Sequence, residues 1–293
     1  MANEEQPGES EGNDDPDAPP LTWREHWFEH NQLLSRVYYD DDVAVYYDED
    51  MERSITWPQR ICGEIWRYVK QVYGDFGDDK RLFVIMHAGK YAGGHPSTYF
   101  DASHDYRNVI DNGQMNSWAD SSGWNLDILA HEIGHIVEGA SKHVHRSPAF
   151  PIWRDSKWME IFQYDVYKQL GWEAEAERWF AQMNSTVDDF PRAGTRWFRD
   201  WFFPIYRDHG ETKVLNAFFE LLAEHFPKRA LGGGYYQYTR DLNFGEFVHF
   251  WSGAAGVSLR DLARTAFGDL DQHGRNWQEQ YEQAIVDFAG VTY

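Results

Sequence analysis

Cysteine is nearly absent from this chain: Cys62 stands alone among 293 residues, so no internal disulfide can form. Ile61, Ile65 and Val69 surround it at core spacing, which predicts a buried thiol. Positive charge is also scarce. Lys and Arg number 27 against 48 Asp and Glu, a formal net charge of −21. Phosphate backbones demand clustered Lys and Arg, so nucleic acid is excluded as a partner. An acidic field favours solubility or basic substrates, and Asp40-Asp41-Asp42 and Asp48-Glu49-Asp50 read as solvated ends of a strand. Long apolar runs are missing too. None reaches the roughly 18 residues of a membrane span, and the amino terminus is polar where a signal peptide would be apolar. No Gly-rich phosphate loop, dinucleotide fingerprint, nucleophile elbow or fixed-period repeat occurs.

What is present is a core-forming composition, 42% hydrophobic and 17% aromatic, enough for one large core or two lobes sharing a cleft. Met1 to Pro20 departs from it: rich in Glu, Asp, Pro and Gly, it reads as a solvated tail or linker. A Met-Ala start before such a tail looks like a chain trimmed of its signal, so an extracellular location is expected, with cytoplasmic as the alternative. Trp153, Trp158, Trp172, Trp179, Trp197 and Trp201 fall in helical context, where a large aromatic core and a glycan-binding surface would use the same residues.

The chemistry concentrates in His131-Glu132-Ile133-Gly134-His135, an H-E-x-x-H motif within an apolar stretch. Leu126, Leu129, Ile133, Ile136 and Val137 recur at three- and four-residue spacings, which predicts a helix with one buried face. Imidazoles four residues apart project from the same side of such a helix and can chelate one zinc ion, and the intervening glutamate can act as general base. A catalytic zinc site takes three protein ligands, so His131 and His135 are two of three. Glycine and histidine three and six residues after the second histidine would mark a metzincin; those positions hold Glu138 and Ser141, which excludes that branch. His143 and His145 lie nearby, but Gly139 and Ser147-Pro148 lead the chain off the helix axis.

Trp158-Met159-Glu160-Ile161-Phe162-Gln163-Tyr164 reads as the start of a second long helix. In this context the chain resembles gluzincins, the thermolysin-like and aminopeptidase-like zinc metallopeptidases, over about residues 125–171. An aromatic residue two positions after Glu160 and a tyrosine at four match the aminopeptidase branch; Met159, Ile161 and Gln163 depart from it. The stretch from Phe247 to Gly268 looks like the closing segment of gluzincin-like peptidases of the enhancin type. The resemblance implies Zn2+ held by His131, His135 and Glu160, with Asp155 as the second candidate for the third position.

Along the chain, an α+β organisation is expected: a two-lobed, zincin-like fold within 21–293. Its N-terminal α/β lobe, 21–145, would hold strands at Val43 to Tyr47 and Leu82 to Met86, a helix at Pro58 to Tyr73, and the motif helix. A helical lobe, 146–293, would follow, with Val214, Leu215, Phe218, Leu222 and Phe226 on one helix and another capped by Ser258. Two loops could hold substrate: Ala92 to Asp101, read as a turn into a strand, and Gly232 to Tyr238, three glycines followed by three tyrosines. His225 and His249 read as core histidines. Asp269 to Gly274 has the first half of a calcium loop, but Gln280 occupies its twelfth position, which discounts calcium. The expected function is zinc-dependent hydrolysis of peptide bonds in a peptide or protein, glycosylated or not, with Glu132 as general base. A peptide- or glycan-binding protein of the same fold without activity, and a non-peptidase zinc hydrolase, are the competing classes.

Overall fold

The computed structural model describes residues 16–293. Most of the acidic tail, Met1 to Pro20, therefore lies outside the described residues. Its last two residues already belong to the fold, with the Pro19 and Pro20 carbonyls accepting bonds from Arg36 and Tyr46.

Six strands form the main sheet: β1 (Thr22–Arg24), β2 (Leu33–Tyr39), β3 (Val43–Tyr47), β4 (Leu82–Ala88), β5 (Gly93–Ser97) and β6 (Asn108–Gln114), in the order β1-β2-β3-β4-β6-β5. The three central strands β3, β4 and β6 run parallel, and β5 closes the sheet antiparallel to β6 as an edge strand. Pro96 fits an edge, since it cannot donate to a ladder on both sides. Between β3 and β4 runs helix α1 (Trp57–Tyr73), started by Pro58 and burying Ile61, Cys62, Ile65 and Val69 as the spacing predicts. Helix α2 (Trp124–Ala140) carries the H-E-x-x-H motif, and its Leu126, Leu129, Ile133, Ile136 and Val137 are all buried.

The rest is helical apart from one small sheet: α3 (Phe150–Trp153), α4 (Lys157–Gln169), α5 (Glu173–Ser185), α6 (Phe203–Asp208), α7 (Thr212–His225), α8 (Phe244–Ala255), α9 (Arg260–Phe267) and α10 (Trp277–Asp287). Asn243 and Glu246 form a reciprocal capping box at the start of α8, and Gly256 ends it at φ +68°. The Gly232 to Tyr238 stretch, expected as a loop, is instead a hairpin. β8 (Lys228–Gly232) and β9 (Tyr235–Tyr238) pair antiparallel, and β7 (Val144–His145) adds parallel to β9. Gly232, Gly233 and Gly234 all take positive φ, which is what the tight turn requires of them.

The central strands are buried on both faces. One face packs on α1 and α2 through Val84, Met86 and Ile110, in a core continuous with the helical half; the other packs Phe83, Ile85 and Val109 against Trp23 and Trp27 of the N-terminal segment. Trp153, Trp158, Trp197 and Trp201 are fully buried in the helical half, so these tryptophans are core. The α+β expectation for the chain holds, with a sheet in the first half and helices dominating the second.

Candidate metal centre and active site

On α2, His131 and His135 turn their imidazoles to the same point, with their Nε2 atoms 3.1 Å apart. Asp155, in the bend between α3 and α4, joins them: Oδ1 lies 3.3 Å from His135 Nε2 and Oδ2 3.7 Å from His131 Nε2. Ligands about 2.0 to 2.1 Å from a tetrahedral zinc sit roughly 3.3 to 3.4 Å from one another. The three observed separations straddle that value, so these donors fit one metal ion, and together they form one of two ligand clusters among the described residues.

Glu160, the third ligand implied by resemblance, is not at the pair. It sits in the first turn of α4, with Oε1 3.5 Å from Lys157 Nζ, and Lys157 also pairs with Asp188. Met159 and Phe162 of α4 crowd Gly134 of α2 and Tyr167 hydrogen-bonds Asp127 there, while the ion pair with Lys157 holds the Glu160 carboxylate. Burial pushes the Glu160 carboxyl up to about 7, and its Oε2 has no hydrogen-bond partner. His143 and His145 also stand apart: His143 lies against the Tyr235 ring, and His145 stacks on Phe100 near Asp101.

Asp155 is aimed by an unusual residue before it. Arg154 adopts φ +54° and ψ −160°, a region close to glycine-only space, and its guanidinium lies 3.7 Å from the centre of the Phe190 ring. Such backbone costs on the order of 1 to 3 kcal/mol and persists where surrounding structure demands it.

Glu138, read in the sequence only as departing from the metzincin pattern, stands behind the histidine pair. Three residues after His135 and buried, its Oε2 lies 3.0 Å from His135 Nδ1, while its Oε1 accepts from the Trp153 indole. A carboxylate on Nδ1 fixes the tautomer that leaves Nε2 free for a metal. Its i+3 position on the motif helix was the available signal. Burial opposes charge on His135, but Asp155 and Glu138 override it and carry its pKa up to about 10. Burial, with the neighbouring His135, takes His131 down to about 4. Two imidazoles this close cannot both hold a proton on Nε2.

Glu132 is buried and faces β5. A Cβ placed on Gly94 would lie 2.7 Å from both Glu132 Cγ and Oε1, so only glycine lets this carboxylate lie against the strand. Burial is the main reason its carboxyl is pushed up to about 7. Glu132, both histidines and Asp155 line a cleft of about 550 Å³ bounded by Gly94, His95 and Pro96 of β5, Trp124 of α2 and Trp179 of α5. A second cavity of about 330 Å³ shares Pro96 and His135 and continues past Glu138 and Asp241. No tyrosine of the β8–β9 hairpin lines either one.

No protein-family model and no curated protein matches the chain. Solved structures similar to it include Legionella pneumophila aminopeptidase A in complex with aspartic acid, at 12% identity and a TM-score of 0.47, covering 76% of this chain and 26% of that one. Another is a mutant of an M1 zinc metallopeptidase from Deinococcus radiodurans, at 12% identity and a TM-score of 0.42, covering 86% of this chain and 49% of that one. The chain thus spans about a quarter of the first and half of the second. No helix among those described is long and apolar enough to cross a membrane.

Proposed function

We propose that this chain is a zinc-dependent peptidase whose metal is held by His131, His135 and Asp155. The observation that carries the reading is the near-tetrahedral spacing of those three donors in a cleft whose wall holds a buried glutamate and an edge strand. Zinc bound there would supply Lewis acidity, polarising a carbonyl and lowering the pKa of a water. The residues do the remainder. Glu138 holds His135 in one tautomer, and Asp155 supplies the anionic donor. Glu132, held against Gly94, takes a proton from the attacking water and returns it to the leaving nitrogen. Burial raises the Glu132 carboxyl above the usual carboxylate range, which favours its taking up the proton of the water. An extended peptide can add to the free edge of β5, and cavities on both sides of His135 leave room for residues flanking the scissile bond.

Glu132→Gln tests this: the amide keeps the shape but cannot accept the proton. Cleavage of a generic unfolded protein should fall about a hundredfold or more with zinc content unchanged. Retained turnover in the zinc-loaded variant would overturn the mechanism. A zinc-loaded wild type that cleaves nothing would point to the binding protein instead.

A further inference from the structure

On the face of the sheet away from α2, a second group of metal-binding side chains is fully buried: Glu25, His30, His87 and Asp111. His87 comes from β4 and Asp111 from β6, while Glu25 and His30 belong to the N-terminal segment that crosses this face between β1 and β2. His87 Nε2 lies 2.8 Å from Glu25 Oε1 and 3.0 Å from Asp111 Oδ1, and none of these three buried atoms has a hydrogen-bond partner. His30 Nδ1 donates to Asp111 Oδ2 at 2.9 Å and lies 3.7 Å from Glu25 Oε1; an ion ligated through Nδ1 would replace that hydrogen bond.

The remaining valences around these atoms are already assigned. Asp48 Oδ2 lies 3.0 Å from His87 Nδ1, the same carboxylate-on-Nδ1 arrangement that Glu138 makes with His135. Glu25 Oε2 accepts from the Gln32 backbone N–H, and Asp111 Oδ2 from the Trp27 indole. With Nδ1–H directed at Asp48, the Nε2 lone pair of a neutral His87 would face two carboxylate oxygens. A proton on Nε2 could serve only one of them well, and neither approach has hydrogen-bond geometry. A cation among the three atoms satisfies all of them, and two carboxylates balance its charge.

We infer that Glu25, His30, His87 and Asp111 form a second, structural metal site. Two imidazoles with two carboxylates suit a divalent first-row ion, and zinc takes four such donors in a closed, tetrahedral structural site. A cavity of about 260 Å³ bordered by His30, Tyr91, His95 and Asp111 provides the way in. Bound there, the ion clips the N-terminal segment to the two central strands, a covalent-like tie in a chain whose one cysteine can form no disulfide. The site does not depend on the peptidase reading: β5 separates the two clusters, turning Gly94 toward Glu132 on one face and pairing His95 with Asp111 in the ladder.

The test is metal stoichiometry in the full chain, stripped with chelator and reloaded with Zn2+. Wild type should hold two equivalents, and His131→Ala/His135→Ala should keep one. Adding Asp111→Asn to that double variant should remove the last. In the double variant Zn2+ should also raise the Tm by about 5 °C or more, and the triple variant should lose that response. His30→Ala, which leaves both strands untouched, should weaken retention of this last equivalent at least tenfold. If the folded double variant holds no zinc and its Tm does not respond to Zn2+, the cluster is an ionic network around a protonated His87 and the inference fails. That measurement needs neither the triple variant nor His30→Ala to fold.

Discussion

Asp155 and Glu160 stand five positions apart on either side of the start of α4, and Asp155 is the one that lies with the histidine pair. Asp155→Asn removes the anionic donor and should weaken zinc binding more than tenfold, as even groups behind the ligands are worth 10 to 100-fold. Glu160→Gln should leave zinc content unchanged, because Glu160 faces Lys157 instead. Elemental analysis of the two variants after dialysis against a weak chelator decides between them. Unchanged zinc in Asp155→Asn with loss in Glu160→Gln would restore the ligand set that resemblance implies.

At the scale of elements, β5 approaches α2 closely at Gly94, where the Glu132 side chain fills the space between them. Gly94→Ala would push a methyl into Glu132 and Asn112 Oδ1, so the expected result is a loss of hydrolysis of tenfold or more with zinc content retained. Kinetics and metal analysis on one preparation check both halves of that statement. The elements that frame the site were legible where a period was clean. Val43–Tyr47 is a strand at the predicted bounds, and α1 and α2 show the predicted apolar faces, because in each the hydrophobic repeat reports burial directly. β6 was not legible. Its sequence Asn-Val-Ile-Asp-Asn-Gly-Gln is polar at four buried positions besides its glycine, so the alternation that marks a strand is erased by the residues that serve the second cluster and the turns around it. The motif histidines and Glu132 could be read from spacing alone. Asp155 could be named only as the second candidate, because its place depends on one backbone turn at Arg154, and Glu25, His30, His87 and Asp111 are brought together only by the fold.

Across the whole molecule, the sheet half and the helical half are joined by a buried carboxylate as well as by apolar packing. Asp165 on α4 accepts from Tyr68 of α1, Tyr206 of α6 and Thr212 of α7. Burial outweighs those three bonds and pushes its pKa up to about 6. A carboxyl raised in the folded state stabilises below its unfolded pKa, and that contribution is lost as pH rises through the folded value. Relative to Asp165→Asn, the wild type should therefore lose stability between about pH 4 and pH 6, by on the order of 3 kcal/mol at 1.36 kcal/mol per unit. Denaturant unfolding of both proteins at intervals across that range measures it. A difference that stays flat with pH would mean the carboxyl titrates normally in the fold.

The Trp153–Glu138–His135 chain has an optical consequence. An indole whose N–H is bound to a carboxylate emits according to the charge that carboxylate feels, and the other oxygen of Glu138 meets the His135 imidazole of the candidate centre. Trp153 is fully buried and stacked on Trp158, so water does not blur the signal. Loading of the candidate centre should shift tryptophan emission, and Trp153→Phe should abolish most of that shift while zinc still binds. The protein then carries its own fluorophore for occupancy of the cleft, readable without substrate or dye.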